Sequence, residues 1–147
     1  MAQQGTSPSV AERRLVWVLR SVGILDLCAI IAVFLPVAWM DASHQWTGLG
    51  PLPKGPVVDY LARSASALYA LFGLLVLYVA TDIRRYRRLI RIMTYGAMAH
   101  GCVVIGIDFH AGVPTWWMLA EAAGHFIPAI AVLWLLDQIR FEPPPPR

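Results

Sequence analysis

Charge is scarce in this chain. Of its 147 residues only 14% are Asp, Glu, Lys or Arg, and 58% are apolar, whereas soluble domains carry roughly 25% charged residues. An ordinary water-soluble globule is excluded on that ground. Cysteine is scarcer still, with Cys28 and Cys102 alone and no CxxC, which removes support for thioredoxin-like or metal-knuckle chemistry. Helical angles place each cysteine about 160° from the polar residue beside it, Asp26 or His100, so both read as small hydrophobes. The chain also lacks an internal repeat, a repeated Glu-x-x-His, and the second pair of spaced histidines that two-haem cytochromes carry.

What remains is apolar length. A spanning helix needs about 20 mostly apolar residues, and four stretches qualify: about 15–40, 57–81, 89–109 and 113–136. These predict an all-α, integral membrane four-helix transmembrane bundle over residues 13–141. A disordered N-terminus (1–12) is expected before it and a Pro-rich polyproline tail (142–147) after it. The first span follows Arg13 and Arg14 but is too long for a signal peptide, carries Arg20 and Asp26, and has no small-x-small cleavage site, so it reads as a retained helix.

The net charge of +3 does not point to nucleic acid, because the arginines are segregated. Arg84, Arg85, Arg87, Arg88 and Arg91 lie between spans two and three, and Arg13, Arg14, Arg140 and Arg147 lie at the ends. The opposite side holds Lys54, with Arg63 just inside span two. This positive-inside pattern predicts both termini in the cytoplasm, N-in and C-in, for a multi-pass protein of a bacterial inner membrane. Trp17 and Trp134 fall near one set of span ends. Trp39, Trp46, Trp116 and Trp117 fall at or beyond the other, as aromatic belts do. The lipid bilayer is the expected partner, with other membrane subunits a further one.

Of the connections, "DASHQWTGLGPLPKGPVVD" is long and too rich in Gly and Pro to be helical throughout. The basic second connection is expected to continue the helices on either side. "HAGVP" is short enough to force spans three and four into an antiparallel hairpin. Ala62, Ser66 and Ala70, with Gly73 close by, form a small-residue seam on span two. Pro36 and Pro128 each remove a hydrogen bond to the carbonyl four residues earlier, which for Pro128 belongs to Gly124.

Several ionisable residues sit inside these spans, where a lipid-facing charge costs roughly 2.5–3.5 kcal/mol and functional use is common. At 1.5 Å per residue, Asp26, His100 and His125 fall near one mid-membrane plane. Arg63, Glu121, Asp108 and His110 lie nearer the external face. Glu121 and His125, four residues apart, share one face of span four. Arg63 and Glu121, at compatible depth, are expected to pair. The expected polar pocket therefore comprises Asp26, Arg63, His100, Glu121 and His125.

Three functional readings of this group stay open beside a structural one, in which the polar core only fixes helix packing for an assembly protein. Glu121, His125 and Arg63 suit a quinone or other lipophilic ligand with proton transfer. His100 and His125 could hold a b-type haem axially, with Gly96, Gly101 and Gly124 leaving room for the ring. The same histidines with Asp26 or Glu121 could hold a metal.

The segment "YALFGLLVLYVATDIRRYRRLIRIMTYGAMAHG", with "EAAGHFIPAIAVLWLL" after it, resembles a group of small bacterial four-helix membrane proteins. In that group a glycine-bearing span enters a basic "RxLI" turn and then a helix with one buried His. Arg88-Leu89-Ile90 and His100 carry the match. These proteins are loosely similar to the DoxX-like family, some members of which are membrane subunits of quinone-reducing oxidoreductases. The resemblance covers roughly 70 residues and implies a membrane bundle, with an accessory or quinone-binding subunit as the expected role.

The charge asymmetry sets a topology test. In a background without Cys28 and Cys102, Ser43→Cys should label with an impermeant maleimide in intact cells and Tyr86→Cys should not. The reverse pattern would invert the expected orientation.

Overall fold

The computed structural model describes residues 8–139. Among them there is no strand, and the chain forms six helices: α1 (Val10–Cys28), α2 (Ile30–Phe34), α3 (Val37–Trp46), α4 (Pro56–Val79), α5 (Arg87–Ala111) and α6 (Thr115–Gln138). Four segments are long and apolar enough to cross a membrane, namely Val10–Phe34, formed by α1 and α2 together, then α4, α5 and α6. The chain is a four-helix transmembrane bundle.

Local chemistry explains the boundaries. Ser9 caps α1 in a reciprocal box with Glu12: Glu12 N–H donates to Ser9 Oγ, and Ser9 N–H donates to Glu12 Oε2 at 2.7 Å. This satisfies two donors that a helix start otherwise leaves unpaired. The helix therefore begins at Val10, so residues 10–12 are helical and not part of the disordered segment expected over 1–12; residues 1–7 and the tail at 142–147 lie outside the described residues.

Span one also ends earlier than residue 40. Pro36 cannot continue α2, and α3 starts after it as a separate helix. α3 takes up the first part of the long connection. The remaining loop is tied back to α3: Leu52 N–H donates to Asp41 Oδ1 at 2.7 Å, and His44 Nδ1 donates to the Gly50 carbonyl at 2.8 Å. The Leu52 amide, and after it the Gln45 side chain, hold the Asp41 carboxyl below the usual aspartate range.

The basic connection between α4 and α5 does not continue the helices, contrary to expectation. Thr81 Oγ1 donates back to the Tyr78 carbonyl, and Asp82 Oδ1 accepts from Arg85 N–H. Such side chains compete with the helical ladder, and residues 80–86 run as turns. The α5–α6 connection is the expected tight hairpin. Gly112 ends α5 in the left-handed conformation at φ 69°, and Pro114 precedes α6.

In space the order is α4, α1, α6, α5. α1 packs along both α4 and α6, and α5 packs along α6, while α4 and α5 scarcely meet although they are consecutive in sequence. Glycine makes the α1–α4 crossing possible. A Cβ on Gly73 would stand 2.6 Å from both the Gly23 carbonyl oxygen and the Leu27 amide nitrogen, so the two backbones touch directly.

The apolar core occupies one end only. Leu15, Leu19, Val76, Val79, Ile83, Ile90, Val132, Leu135 and Leu136 close the end where α1 begins, α6 finishes and the arginine-rich turn lies. Two ion pairs tie that end: Arg84 to Glu12 at 2.6 Å and Arg91 to Asp137 at 2.7 Å.

Replacing Gly73 by Val should force α1 and α4 apart, since the obstructing atoms are backbone; the expected loss is about 1–3 kcal/mol or more. Gly96→Ala places its Cβ in open space and should leave the thermal midpoint in detergent nearly unchanged. Equal effects would argue against the crossing.

Candidate functional site

Beyond the apolar plug the four long helices diverge around a cavity of about 940 Å³, within the range of about 300–1,000 Å³ typical of ligand sites. α1 contributes Leu19, Val22, Leu25 and Asp26 to its wall, and α4 contributes Leu68, Tyr69 and Phe72. α5 contributes Met93, Gly96, Ala97 and His100, and α6 contributes Glu121, Gly124, His125 and Pro128. The cavity lies behind the seam where α4 and α5 fail to meet.

Its wall is mostly apolar, and apart from Thr94, whose hydroxyl donates to the Ile90 carbonyl, its polar side chains gather in one group. His100 Nδ1 and His125 Nε2 are 3.1 Å apart, and His125 Nδ1 lies 2.8 Å from the Glu121 backbone carbonyl. The carbonyl can only accept, which assigns the proton to His125 Nδ1. In the neutral pair His125 Nε2 then accepts from His100 Nδ1–H, and His100 Nε2 keeps a lone pair. The two imidazoles thus form a directed chain that ends on backbone at one side and on an open acceptor at the other.

Gly101 fixes this arrangement. A Cβ there would lie 2.8 Å from His125 Cβ, so the absence of a side chain on α5 lets the His125 ring reach across to His100. Gly96 and Gly124, by contrast, face open space. Asp26 is close enough to His125 to interact electrostatically, and Tyr69 is under the influence of both Glu121 and Asp26. Glu121 has Asp108 and Trp117 as side-chain neighbours. Asp108 is buried, and its Oδ2 has no hydrogen-bond partner among the described residues.

Of the five expected pocket residues, the structure brings Asp26, His100, Glu121 and His125 to one cavity. Arg63 does not join them. Its guanidinium pairs with Asp59 at 2.8 Å and donates to the Val33 and Leu35 carbonyls. Pro36 breaks the first span and leaves carbonyls there without helical donors, and Arg63 serves them. The expected Arg63–Glu121 pair is absent because α2, and not α6, lies beside that part of α4.

The geometry also bears on the cofactor readings. Two axial haem nitrogens must stand on opposite faces of a macrocycle. Nitrogens 3.1 Å apart in a mutual hydrogen bond leave no plane between them, so the pair as placed does not fit a bis-histidine haem. Among the described residues no three His, Cys, Asp or Glu side chains converge as a metal-holding group, and the carboxyls of Asp26 and Glu121 do not complete one with the histidines.

Tyr69 was missed by sequence reasoning. Tyrosines of membrane helices gather at the interfaces, so one near the middle of α4 was itself a signal. Cys28 and Cys102 are free and face outward, away from the cavity. No family model, curated protein or solved structure matches the chain.

The Arg63 geometry is testable by thermal unfolding. Arg63→Ala and Glu121→Ala should be additive, while Arg63→Ala and Asp59→Ala should couple by about 0.5 kcal/mol or more, as residues in contact do. Coupling of Arg63 to Glu121 would restore the pairing that sequence depth suggests.

Proposed function

We propose that this protein binds a quinone, or a similar lipophilic ligand with an exchangeable proton, as a small accessory subunit of membrane electron transport. The observation that carries this reading is the His100–His125 pair in the wall of a mostly apolar cavity lined by all four long helices, of which α4 and α5 scarcely meet. A lipophilic ring fits the apolar lining, and its polar oxygens require partners, since an unpaired polar group in such surroundings costs free energy. Tyr69 O–H can donate to a carbonyl oxygen. His100 Nε2 can accept from the hydroxyl of the reduced form.

Proton movement follows from the tautomers. When His100 Nε2 takes a proton, Nδ1 can pass its own to His125 Nε2. One positive charge is then shared by two rings. The chain moves one proton at a time, because a second would place two cations in contact. The resemblance to DoxX-like proteins supports the same reading, as does the placement of the arginines, which favours N-in and C-in insertion in a bacterial inner membrane. A catalytic centre is not part of this proposal; partner membrane subunits would supply the electrons.

The competing reading is a polar core that only sets packing. It draws on the same hydrogen bonds, since His125 is satisfied at both nitrogens without a ligand. Extraction of gently purified protein decides between them. Quinone should be recovered from the wild type, and the yield should fall several-fold in His125→Ala and Glu121→Gln. It should also fall in Gly101→Ala, which removes no polar group and pushes His125, with Phe126 beside it, away from α5. Absence of quinone from the wild type, with no stabilisation on adding it, would sink the proposal. Histidine substitutions that then alter stability alone would favour the packing role.

A further inference from the structure

The arginine-bearing end has a second concavity, distinct from the central cavity. It is a groove of about 440 Å³ between the outer face of α1 and the turn that follows α4, lined by Glu12, Arg13, Trp17, Arg20, Thr81 and Arg84 among others. Arg13, Trp17 and Arg20 are spaced by four and three residues, so they share one helical face, and all three are exposed. Among the described residues neither Arg13 nor Arg20 has a hydrogen-bonding or ionic partner.

Arg20 is the informative member. It stands inside the first apolar span, where the only other charged residue from Leu15 to Phe34 is Asp26. An outward-facing guanidinium at that position needs an anion at the edge of the acyl region, and among the described residues none pairs with it. Arg13 and Arg20 are roughly 10 Å apart along the axis at 1.5 Å per residue, so the groove reaches from the headgroup level to the start of the acyl chains. Trp17 between them is an interfacial anchor, 72% exposed.

We infer that this groove holds the phosphodiester headgroup of an anionic phospholipid, with Arg13 and Arg20 as its donors and Trp17 against the upper acyl chain. Guanidinium forks match phosphate oxygens in geometry as well as charge. Selection against zwitterionic lipids follows from the carboxylates of the groove. Glu12 is occupied by Arg84 and the Ser9 amide, and Asp82 takes the Arg85 amide. Neither is well placed to receive a choline or ethanolamine cation.

Native mass spectrometry of the full chain tests this, with phosphatidylglycerol, phosphatidylcholine or glycerol phosphate added at equal concentration to detergent-solubilised protein. One phosphatidylglycerol adduct should survive about tenfold better than a phosphatidylcholine adduct, as two arginines near an anionic lipid predict. Arg13→Gln/Arg20→Gln should abolish that preference, while Arg85→Gln/Arg88→Gln, an equal loss of charge outside the groove, should keep it. Arg20→Lys keeps the charge but not the fork and should weaken the adduct, which separates recognition from folding. Equal loss in both double variants would reduce the effect to diffuse attraction and overturn the assignment. Equal retention of the two lipids would do the same, by showing acyl contact alone. Displacement of the lipid by glycerol phosphate at the same concentration would identify a site for free phosphate instead.

Discussion

The direct backbone approach of Gly23 and Gly73 is the constraint on which the remaining arrangement depends. With no side chain on either surface, α4 binds α1 along its length. α1 takes α6 on its other side, and the short Gly112 turn keeps α5 against α6. The ring of helices is then complete except between α4 and α5. Helices joined by a short connection are ordinarily neighbours, and here glycine packing overrides sequence order. Asp26, one turn from Gly23, is carried by the same crossing to the wall of the cavity.

Polarity is distributed in three tiers along the bundle. At the arginine-bearing end, Arg84–Glu12 and Arg91–Asp137 link distant segments across the surface. A dry plug around Leu15, Val79, Ile90 and Leu136 follows. Beyond it lie the imidazole pair and the carboxyls of Asp26 and Glu121, which the plug separates from water at that end. Gly101 makes the polar tier compact, since the absence of a single methyl group at that position lets two rings from different helices share a proton donor. Buried polar groups are tolerable when each finds a partner; His125 has two, and Asp108 has one oxygen without a partner among the described residues.

The four spans were legible in the sequence because hydropathy is a sum over some twenty residues, and no single substitution disguises it. The mid-depth meeting of Asp26, His100 and His125 was legible for a related reason, since depth is fixed by counting along a regular helix. The pairing of Arg63 was not legible. Depth says nothing of which helix stands alongside, and the carbonyls freed by Pro36 were nearer partners than Glu121. The helical start at Val10 was visible in Ser9 and Glu12, three residues apart before an apolar run, and was obscured by the small polar residues ahead of it. The turn at 80–86 was obscured in the opposite way, because arginine is a good helix former and the hydrogen bonds of Thr81 and Asp82 outweigh that preference. Tyr69 carried a weaker signal than the charged residues and histidines at similar depth, because an uncharged phenol is far less costly inside a span than an ionised group.

The seam between α4 and α5 gives the cavity an unusual status. All four long helices line it, and where α4 and α5 scarcely meet, the wall is completed by whatever surrounds the bundle. In a bilayer that is hydrocarbon, so the acyl chains are part of the wall and their packing pressure sets how far the two helices can spread. The same chain in a micelle meets a more fluid and more hydrated wall. The volume and dryness around the histidine pair are therefore joint properties of the protein and its lipid, and a bilayer of different thickness or saturation would present a different interior to the same residues.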